Sequence, residues 1–444
     1  MTPAAGTAAA GETDDDRSPP LSSTPGRRLP TIGWLYPTLT VFALNQAAIN
    51  MVRPMVAYRA LDLGMGAASL GLLSASFSIT PLIIALRMGR LMDRRGERAF
   101  VAGGTAALVA ASLGLAVVDS ADWALLIYAL FALLGLGEIM TGVAVQAMIA
   151  RYAGEGSYDR SYAAFSFFAS IGQMAGPALV AVLAGSGAPS EITRTILAGA
   201  ATGVLIVPIL LVIRMPSTVR TARADRSQSG LLPGGPGMAP TREPSLLEIL
   251  RTPGILRATL VGASVLSSID IVVIYLPALG QERLWSVGLV GTLLALRAGS
   301  SLAVRLVLGS LAGRFGRQPL LLGSMAVSAG ALLVLPFLHA VPLVAVAMIA
   351  AGAGLGVGQP LSVAWVASAA PPHARATALS IRIMGNGVGR ITLPVAAGTM
   401  AAMAGAGGVL GVTGAVLAAS AVAVAGGRRR PRAPLDAPPP VVAR

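Results

Sequence analysis

Cysteine is absent from the 444 residues, and so is lysine. The first absence excludes disulfides, thiolate metal sites and cysteine nucleophiles. The second means that all 33 basic residues are arginine, a usage that hints at a GC-rich bacterial genome. Only two histidines occur, His339 and His373. They lie far apart in loops, so neither a metal site nor a Ser/His/Asp triad can be assembled from them. No Walker A loop is present, which removes ATP as a direct energy source. No enzyme activity, metal or cofactor is therefore expected. Aromatic residues make up only 5% and charged residues only 12% of the chain. A soluble protein of this length carries roughly twice that charge.

What remains is apolar. Hydrophobic residues account for 55% of the chain and the mean hydropathy is +0.74. Apolar runs long enough to cross the hydrocarbon core fall at 34–57, 67–89, 100–118, 123–149, 162–184, 195–214, 255–278, 287–311, 319–338, 341–368, 376–402 and 405–426. The fold class expected is an all-α integral membrane protein of twelve transmembrane helices. The 53 glycines and 30 prolines suit close helix packing and kinks in lipid better than soluble helices.

The formal net charge is +14, but the arginines are scattered over short loops and spans. With no contiguous basic domain or interleaved aromatics, nucleic acid is not an expected partner. Their placement follows the positive-inside bias instead. One side receives Arg27, Arg28, Arg90 to Arg98, Arg151, Arg160, Arg314, Arg317, Arg375 and Arg428 to Arg432. The other receives mainly Asp62, Asp119, Asp122 and the Glu191/Arg194 and Glu282/Arg283 pairs. Arg53 and Arg59 stand out as minor exceptions. Both termini are expected in the cytoplasm of a bacterial inner membrane protein. The N-terminal segment has no basic region followed by an apolar core, so it does not read as a signal peptide.

Gly89-Arg90-Leu91-Met92-Asp93-Arg94-Arg95-Gly96 returns 220 residues later as Gly309-Ser310-Leu311-Ala312-Gly313-Arg314-Phe315-Gly316. Leu136-Gly137 matches Leu355-Gly356 at an offset of 219, and Gly172 and Pro177 match Gly389 and Pro394 at 217. The chain thus reads as two related six-helix bundles, residues 34–214 and 255–426. A Pro/Gly-rich cytoplasmic linker (215–254) joins them, and tails flank them at 1–33 and 427–444.

These features resemble the major facilitator superfamily. Gly89-x-Leu91-x-Asp93-Arg94-x-Gly96-x-Arg98 resembles its loop 2–3 signature, with Gly309 to Arg317 as the echo. Gly172-x-x-x-Gly176-Pro177 resembles the core of its antiporter motif, although Val180-Ala181 replace a trailing glycine pair. The resemblance implies two pseudo-symmetric bundles working by alternating access. It also implies a conformational latch formed by Gly89, Asp93, Arg94, Gly96 and Arg98, with Arg382 as the partner expected for Asp93. Gly313 stands where the second copy would need an acid, so a mirror-image latch is not expected. Gly-x-x-x-Gly is also ordinary helix-packing grammar, and that reading stays open.

Ionisable groups within spans cost about 2.5–3.5 kcal/mol at mid-helix, which makes each a functional candidate. Six stand out: Glu138, Asp270, Arg297, Arg305, Arg382 and Arg390. Residues eight apart share a helix face, so Arg297 aligns with Ser301 and Arg305, and Arg382 with Asn386 and Arg390. On the geometry implied by the resemblance, Glu138, Asp270, Arg297 and Arg390 converge on one cavity. Asn45, Gln46, Asn50, Gln146, Gln359 and Asn386 would add hydrogen bonds there, and Trp365 a stacking surface. Asp270 or Glu138 would carry the coupling proton. The competing reading makes these groups structural ion pairs, Asp270 with Arg297 and Glu138 with another arginine. Surplus arginine favours anionic or carboxylate-bearing solutes.

The expected function is proton-gradient-driven efflux of a small amphiphilic or anionic organic compound by a monomeric secondary transporter. Proton-linked uptake of a small carboxylate is the alternative. A non-transporting membrane sensor is the alternative from another class. The partners expected are the lipid bilayer, protons and a small-molecule substrate.

Overall fold

A computed structural model of the chain describes residues 32–153, 158–212, 252, 254–370 and 375–426. The tails and linker expected from sequence fall almost entirely outside the described residues. The first half comprises α1 (Ile32–Asp62), α2 (Ala67–Arg95), α3 (Glu97–Val117), α4 (Ala124–Tyr152), α5 (Tyr158–Leu183), α6 (Pro189–Val204) and α7 (Ile206–Val212). The second comprises α8 (Ile255–Glu282), α9 (Val287–Phe315), α10 (Arg317–Val334), α11 (Val341–Ala369) and α12 (Arg375–Ala425). The described structure is helical throughout its regular elements, as an apolar environment requires: each helix satisfies its own backbone polar groups.

Among the described residues, ten helices are long and apolar enough to cross a membrane. One of them, Thr377–Ala425, spans the two arms of α12, which meet at Gly405 with φ 65°. That left-handed backbone favours a residue without a Cβ. Glu282 accepts a hydrogen bond from the Ala406 amide at 2.8 Å and so caps the second arm. The α6–α7 pair forms a single rod interrupted at Leu205. The helix outside the ten is α1, which carries Asn45, Gln46, Asn50, Arg53 and Arg59. α1 and the second arm of α12 are the further rods that a count of twelve requires.

Several helices extend past the apolar runs, and two of these differences have a plain physical reason. The first helix runs past residue 57 to Asp62 because Arg59 is not a loop charge. It is buried, donating to the Val118 carbonyl at 2.9 Å and to Thr193. The sixth begins at Pro189 rather than 195, because Glu191 folds back to accept from the Gly187 amide at 2.9 Å and the Ala188 amide at 3.3 Å. A count of apolar residues starts too late when the first turn is built from a capping acid.

The duplication is visible in detail. α2 and α9 each have 29 residues and end at glycines of nearly the same conformation, Gly96 (φ 83°, ψ 156°) and Gly316 (φ 80°, ψ 155°). α4 and α11 also have 29 residues each. Within the halves, α1 packs on α5 and α6, and α8 packs on α12 and α11. Across them the partners are exchanged symmetrically, α2 against α12 and α9 against α5, with α1 and α8 meeting at the centre. A Cβ on Gly71 would lie 2.3 Å from the Pro394 carbonyl oxygen and 2.8 Å from Gly398. In the equivalent place, one on Gly291 would lie 2.6 Å from the Ala181 nitrogen and 3.0 Å from the Pro177 carbonyl oxygen. Together with the Gly288 amide donating to Gly185 at 3.1 Å, these seams close the halves at the end bearing the α1–α2 and α8–α9 turns. At the opposite end, α4 and α11 share no extensive contact among the described residues.

Candidate functional site

The centre of the molecule is a chain of four charges drawn from both halves. Asp270, on α8, is 3% exposed. One carboxylate oxygen accepts from Arg53 Nη2 of α1 at 2.7 Å. The other accepts from Arg390 Nε of α12 at 2.5 Å, with Arg390 Nη2 3.3 Å from the first oxygen. Arg390 Nη2 then lies 4.0 Å from Glu138 of α4. The order Arg53, Asp270, Arg390, Glu138 alternates in sign and sums to zero. Arg53 and Asp270 are sealed from solvent, whereas the Arg390 and Glu138 side chains keep 20% and 24% of their surface exposed. Access to the network therefore runs from the Glu138 side.

Phe77 of α2 roofs this chain. Its ring centroid is 4.5 Å from the Arg53 guanidinium and 5.8 Å from that of Arg390. In a desolvated place such contacts are worth about 2 kcal/mol. Helix packing fixes the ring: Gly135 of α4 presses on the Phe77 carbonyl oxygen, where a Cβ would sit at 1.9 Å. The second half repeats this contact with Gly352 of α11 against the Arg297 carbonyl oxygen, at 2.0 Å. Phe77 and Arg297 are separated by the same offset as Gly89 and Gly309, and Gly135 and Gly352 by the same offset as Gly172 and Gly389, so α4 and α11 correspond at 217 and not at the 219 of the Leu136-Gly137 match. Arg297 is thus the counterpart of Phe77. Its guanidinium is within electrostatic reach of Asp270, Arg53 and Arg305.

Several expectations are corrected. Asp270 pairs with Arg53 and Arg390, not with Arg297, which forms no ion pair among the described residues. Arg53, read from sequence as a topological exception, is the central cation of the first half. The signal was present: Gln46, Asn50 and Arg53 lie three or four residues apart, one polar stripe running into an apolar helix. Phe77 carried no sequence signal, since one aromatic in a span reads as packing.

Polar residues expected around the cavity divide into separate groups. Asn50 donates to Gln46 on its own helix at 2.8 Å to the carbonyl oxygen and 3.3 Å to the amide oxygen. Asn45 is fully buried, with its amide unpartnered. Gln146 accepts from Tyr162 at 3.2 Å and stays within the first half. Trp365 is buried against Gly254 at the start of α8, which makes it a packing residue rather than an exposed stacking surface. Gln359 donates to the Gly262 carbonyl at 3.0 Å and accepts from Arg382 at 3.0 Å. Arg382 also donates to Ser362 at 2.8 Å, and Asn386 lies beside it near Gly262.

These bonds turn Arg382 into its own half. Gly89, Asp93 and Arg94 lie on α2, but the side chains of Asp93 and Arg94 are outside the described residues, and so is the Asp93–Arg382 latch. Next to them, Gly96 ends α2, Arg98 donates to the Leu210 carbonyl at 2.7 Å, and Glu97 pairs with Arg151 at 2.7 Å. Arg305 donates to Ser170 of α5 at 2.8 Å and to the Gly356 carbonyl at 3.3 Å, a second link between halves. Gly172 and Gly176 receive α1 closely: a Cβ on them would lie 2.2 Å from the Ala43 and 2.5 Å from the Ala47 carbonyl oxygen. A separate crevice of about 330 Å³ between α9, α10 and α11 is lined by Phe315, Leu320 and Val327 and carries no charge.

Comparison with known proteins agrees with this architecture. The family model of the Major Facilitator Superfamily matches residues 38–286 and 258–443. No curated protein sequence matches the chain. Among solved structures, the nucleoside transporter NupG superposes with a TM-score of 0.69 at 14% identity, covering 88% of this chain and 98% of that one. A D-xylose-proton symporter gives 0.69 at 15% identity, with 87% and 95% covered. A POT family transporter in complex with 5-aminolevulinic acid gives 0.65 at 12% identity, with 88% and 95% covered. At these identities the likeness establishes the fold.

Proposed function

The chain belongs to the major facilitator superfamily, and from that premise we propose that it couples the movement of a small organic anion to protons by alternating access. It is a secondary transporter and not an enzyme. The observation that carries the coupling is the position of Asp270, gripped by an arginine from each half. Adding a proton to this carboxylate weakens both grips at once, so protonation state and the mutual position of the halves are linked. The proton gradient is the energy source, and no cofactor takes part. A single chain works in a bacterial inner membrane with both tails in the cytoplasm. In that orientation the seams at Gly71 and Gly291 close the outer side, which supports an inward-facing reading of this arrangement.

The sequence offered export first and carboxylate uptake second. Export leaned on Gly172, Gly176 and Pro177. Gly172 and Gly176 pack against α1, Pro177 belongs to the seam at Gly291, and that seam has a counterpart in the other half. The motif is accounted for by packing and gives no direction. The charge tally favours an anionic solute, since the four-membered chain is neutral, while Arg297 and Arg382 add buried and Arg305 partly buried positive charge with no acid paired to them among the described residues. Export of an amphiphile is the second reading. It is favoured by Glu138, an acid that keeps a quarter of its surface exposed and that a cationic group could reach.

Reconstitution into liposomes with an imposed pH gradient and an internal pH dye tests the proposal. Solute-dependent proton movement is expected for the native chain and its loss for Asp270→Asn. Silence across neutral, anionic and cationic solute panels would return the sensor alternative.

A further inference from the structure

Arg297 is 4% exposed, its Nε has no partner, and its guanidinium makes no hydrogen bond or ion pair among the described residues. The other buried arginines are accounted for. Arg53 and Arg390 hold carboxylates, Arg59 holds Val118 and Thr193, and Arg382 holds Gln359 and Ser362. Partly buried Arg305 has Gly356 and Ser170. An uncompensated guanidinium in a low-dielectric interior costs several kcal/mol and does not shed its proton. Helix packing does not demand arginine there. The contact with Gly352 uses only the backbone carbonyl, and phenylalanine fills the equivalent place in the first half. The guanidinium lies within electrostatic reach of Asp270 and Arg53, and its counterpart Phe77 packs over Arg53 and Arg390.

We propose that Arg297 anchors the head of a singly charged organic anion, a carboxylate on a small apolar body, and that this anion and a proton on Asp270 are bound together. This rests on the transporter reading above and narrows it to co-transport. The charged groups in contact with Asp270 are Arg53 from α1 and Arg390 from α12, Glu138 of α4 acts through Arg390, and Arg297 of α9 lies within electrostatic reach. Phe77 is the facing group from α2, and α11 contains no ionisable side chain. An anion on Arg297 cancels the positive field that this arginine casts on Asp270, so the carboxylate takes up a proton more readily. Linkage then requires that the proton strengthen anion binding by the same factor. Antiport would need the opposite sign.

The full chain, purified in detergent, is mixed with benzoate, lactate or nitrate, with benzamide and benzylamine as neutral and cationic controls. Thermal midpoint and proton uptake from weakly buffered solution are read together. At least one carboxylate is expected to raise the midpoint and draw in protons, while benzamide and benzylamine do neither. Arg297→Phe, which copies the other half and should fold, is expected to abolish both responses. Arg297→Lys is expected to weaken binding at least tenfold, since an ammonium cannot form the bidentate pair. Silence of both carboxylates, binding of nitrate alone, a response to benzylamine, unchanged binding by Arg297→Phe, or proton release on anion binding would each overturn the proposal. The transporter reading fails separately. It survives if Arg297→Phe in liposomes still moves protons with a neutral or cationic solute, and it falls if a bound carboxylate moves none.

Discussion

Phe77 and Arg297 hold the same place in the two halves, each with its carbonyl pressed on a glycine of the neighbouring helix. The backbone contact is duplicated and the side chain is not, so the repeated scaffold carries an aromatic ring in one half and a charge in the other.

That scaffold predicts which glycines tolerate a methyl group. A Cβ on Gly352 would lie 2.0 Å from the Arg297 carbonyl oxygen, whereas one on Gly309 meets nothing within 4 Å. Gly352→Ala is expected to cost about 1–3 kcal/mol through overpacking of backbone on backbone. Gly309→Ala is expected to be neutral or to gain up to about 1 kcal/mol from helix propensity. Melting of the purified protein in detergent ranks the two, and a Gly309→Ala loss matching that of Gly352→Ala would contradict the seam.

Removing the charge on Asp270 strands two buried arginines. Asp270→Asn is expected to destabilise the fold by about 3–5 kcal/mol, the usual cost of breaking a buried ionic cluster by deleting one partner. Arg53→Met combined with Asp270→Asn should recover part of that loss, because only Arg390 then lacks its carboxylate and Glu138 stays beside it. A double-mutant cycle showing strict additivity would mean that the two side chains are not coupled.

Glu138 should behave differently. It stands 4.0 Å from Arg390 and keeps about a quarter of its surface exposed, so screening limits its worth to about 1 kcal/mol or less. Glu138→Gln is expected to melt near the native temperature while reducing proton-coupled flux. A stability loss as large as that of Asp270→Asn would show instead that Glu138 is a sealed member of the cluster.

Glu282 closes a different contact, accepting the Ala406 amide where α12 folds at Gly405. Losing a helix cap costs about 0.5–2 kcal/mol. Glu282→Ala is expected to fall in that range, with Glu282→Gln closer to native because its amide oxygen still accepts. Equal melting of all three forms would remove the cap from the account.

Much of this was legible before any coordinates. Twelve apolar runs outlined the helical rods, the repeated Gly89 and Gly309 segments outlined the halves, and Asp270, Arg390 and Glu138 were singled out because charge in a span is costly. Pairing was not legible. Whether Asp270 meets Arg297 or Arg53 depends on which helix faces turn inward, and helical periodicity cannot rank two candidate faces on different helices. Arg53 was discounted because a charge near an apolar run's end reads as a loop residue, and only the burial of α1 to Asp62 revealed otherwise. Phe77 could have been found only by aligning the halves and asking what stands opposite Arg297.

The closed end offers a test that uses the absence of cysteine. Tyr58 of α1 is 4% exposed, and its hydroxyl lies 3.1 Å from where a Cβ on Gly280 of α8 would be, inside the closure between halves. Tyr58→Cys would be the sole thiol in the chain, so any maleimide labelling reports that one place. With the seam intact, labelling should be slow. Gly71→Leu drives a side chain into the Pro394 carbonyl, 2.3 Å from the Cβ position. That clash is relieved when α2 separates from α12. In the rocking arrangement the same motion opens the end at which Tyr58 sits, and the population shifts by whatever the clash costs in the closed state. A clash worth about 1.4 kcal/mol already changes the open-to-closed ratio tenfold. Tyr58→Cys is therefore expected to label at least several-fold faster in the Gly71→Leu background, with a similar gain in Gly291→Leu through the symmetric seam. Equal labelling rates in all three backgrounds would mean that these glycines pack the halves without gating them.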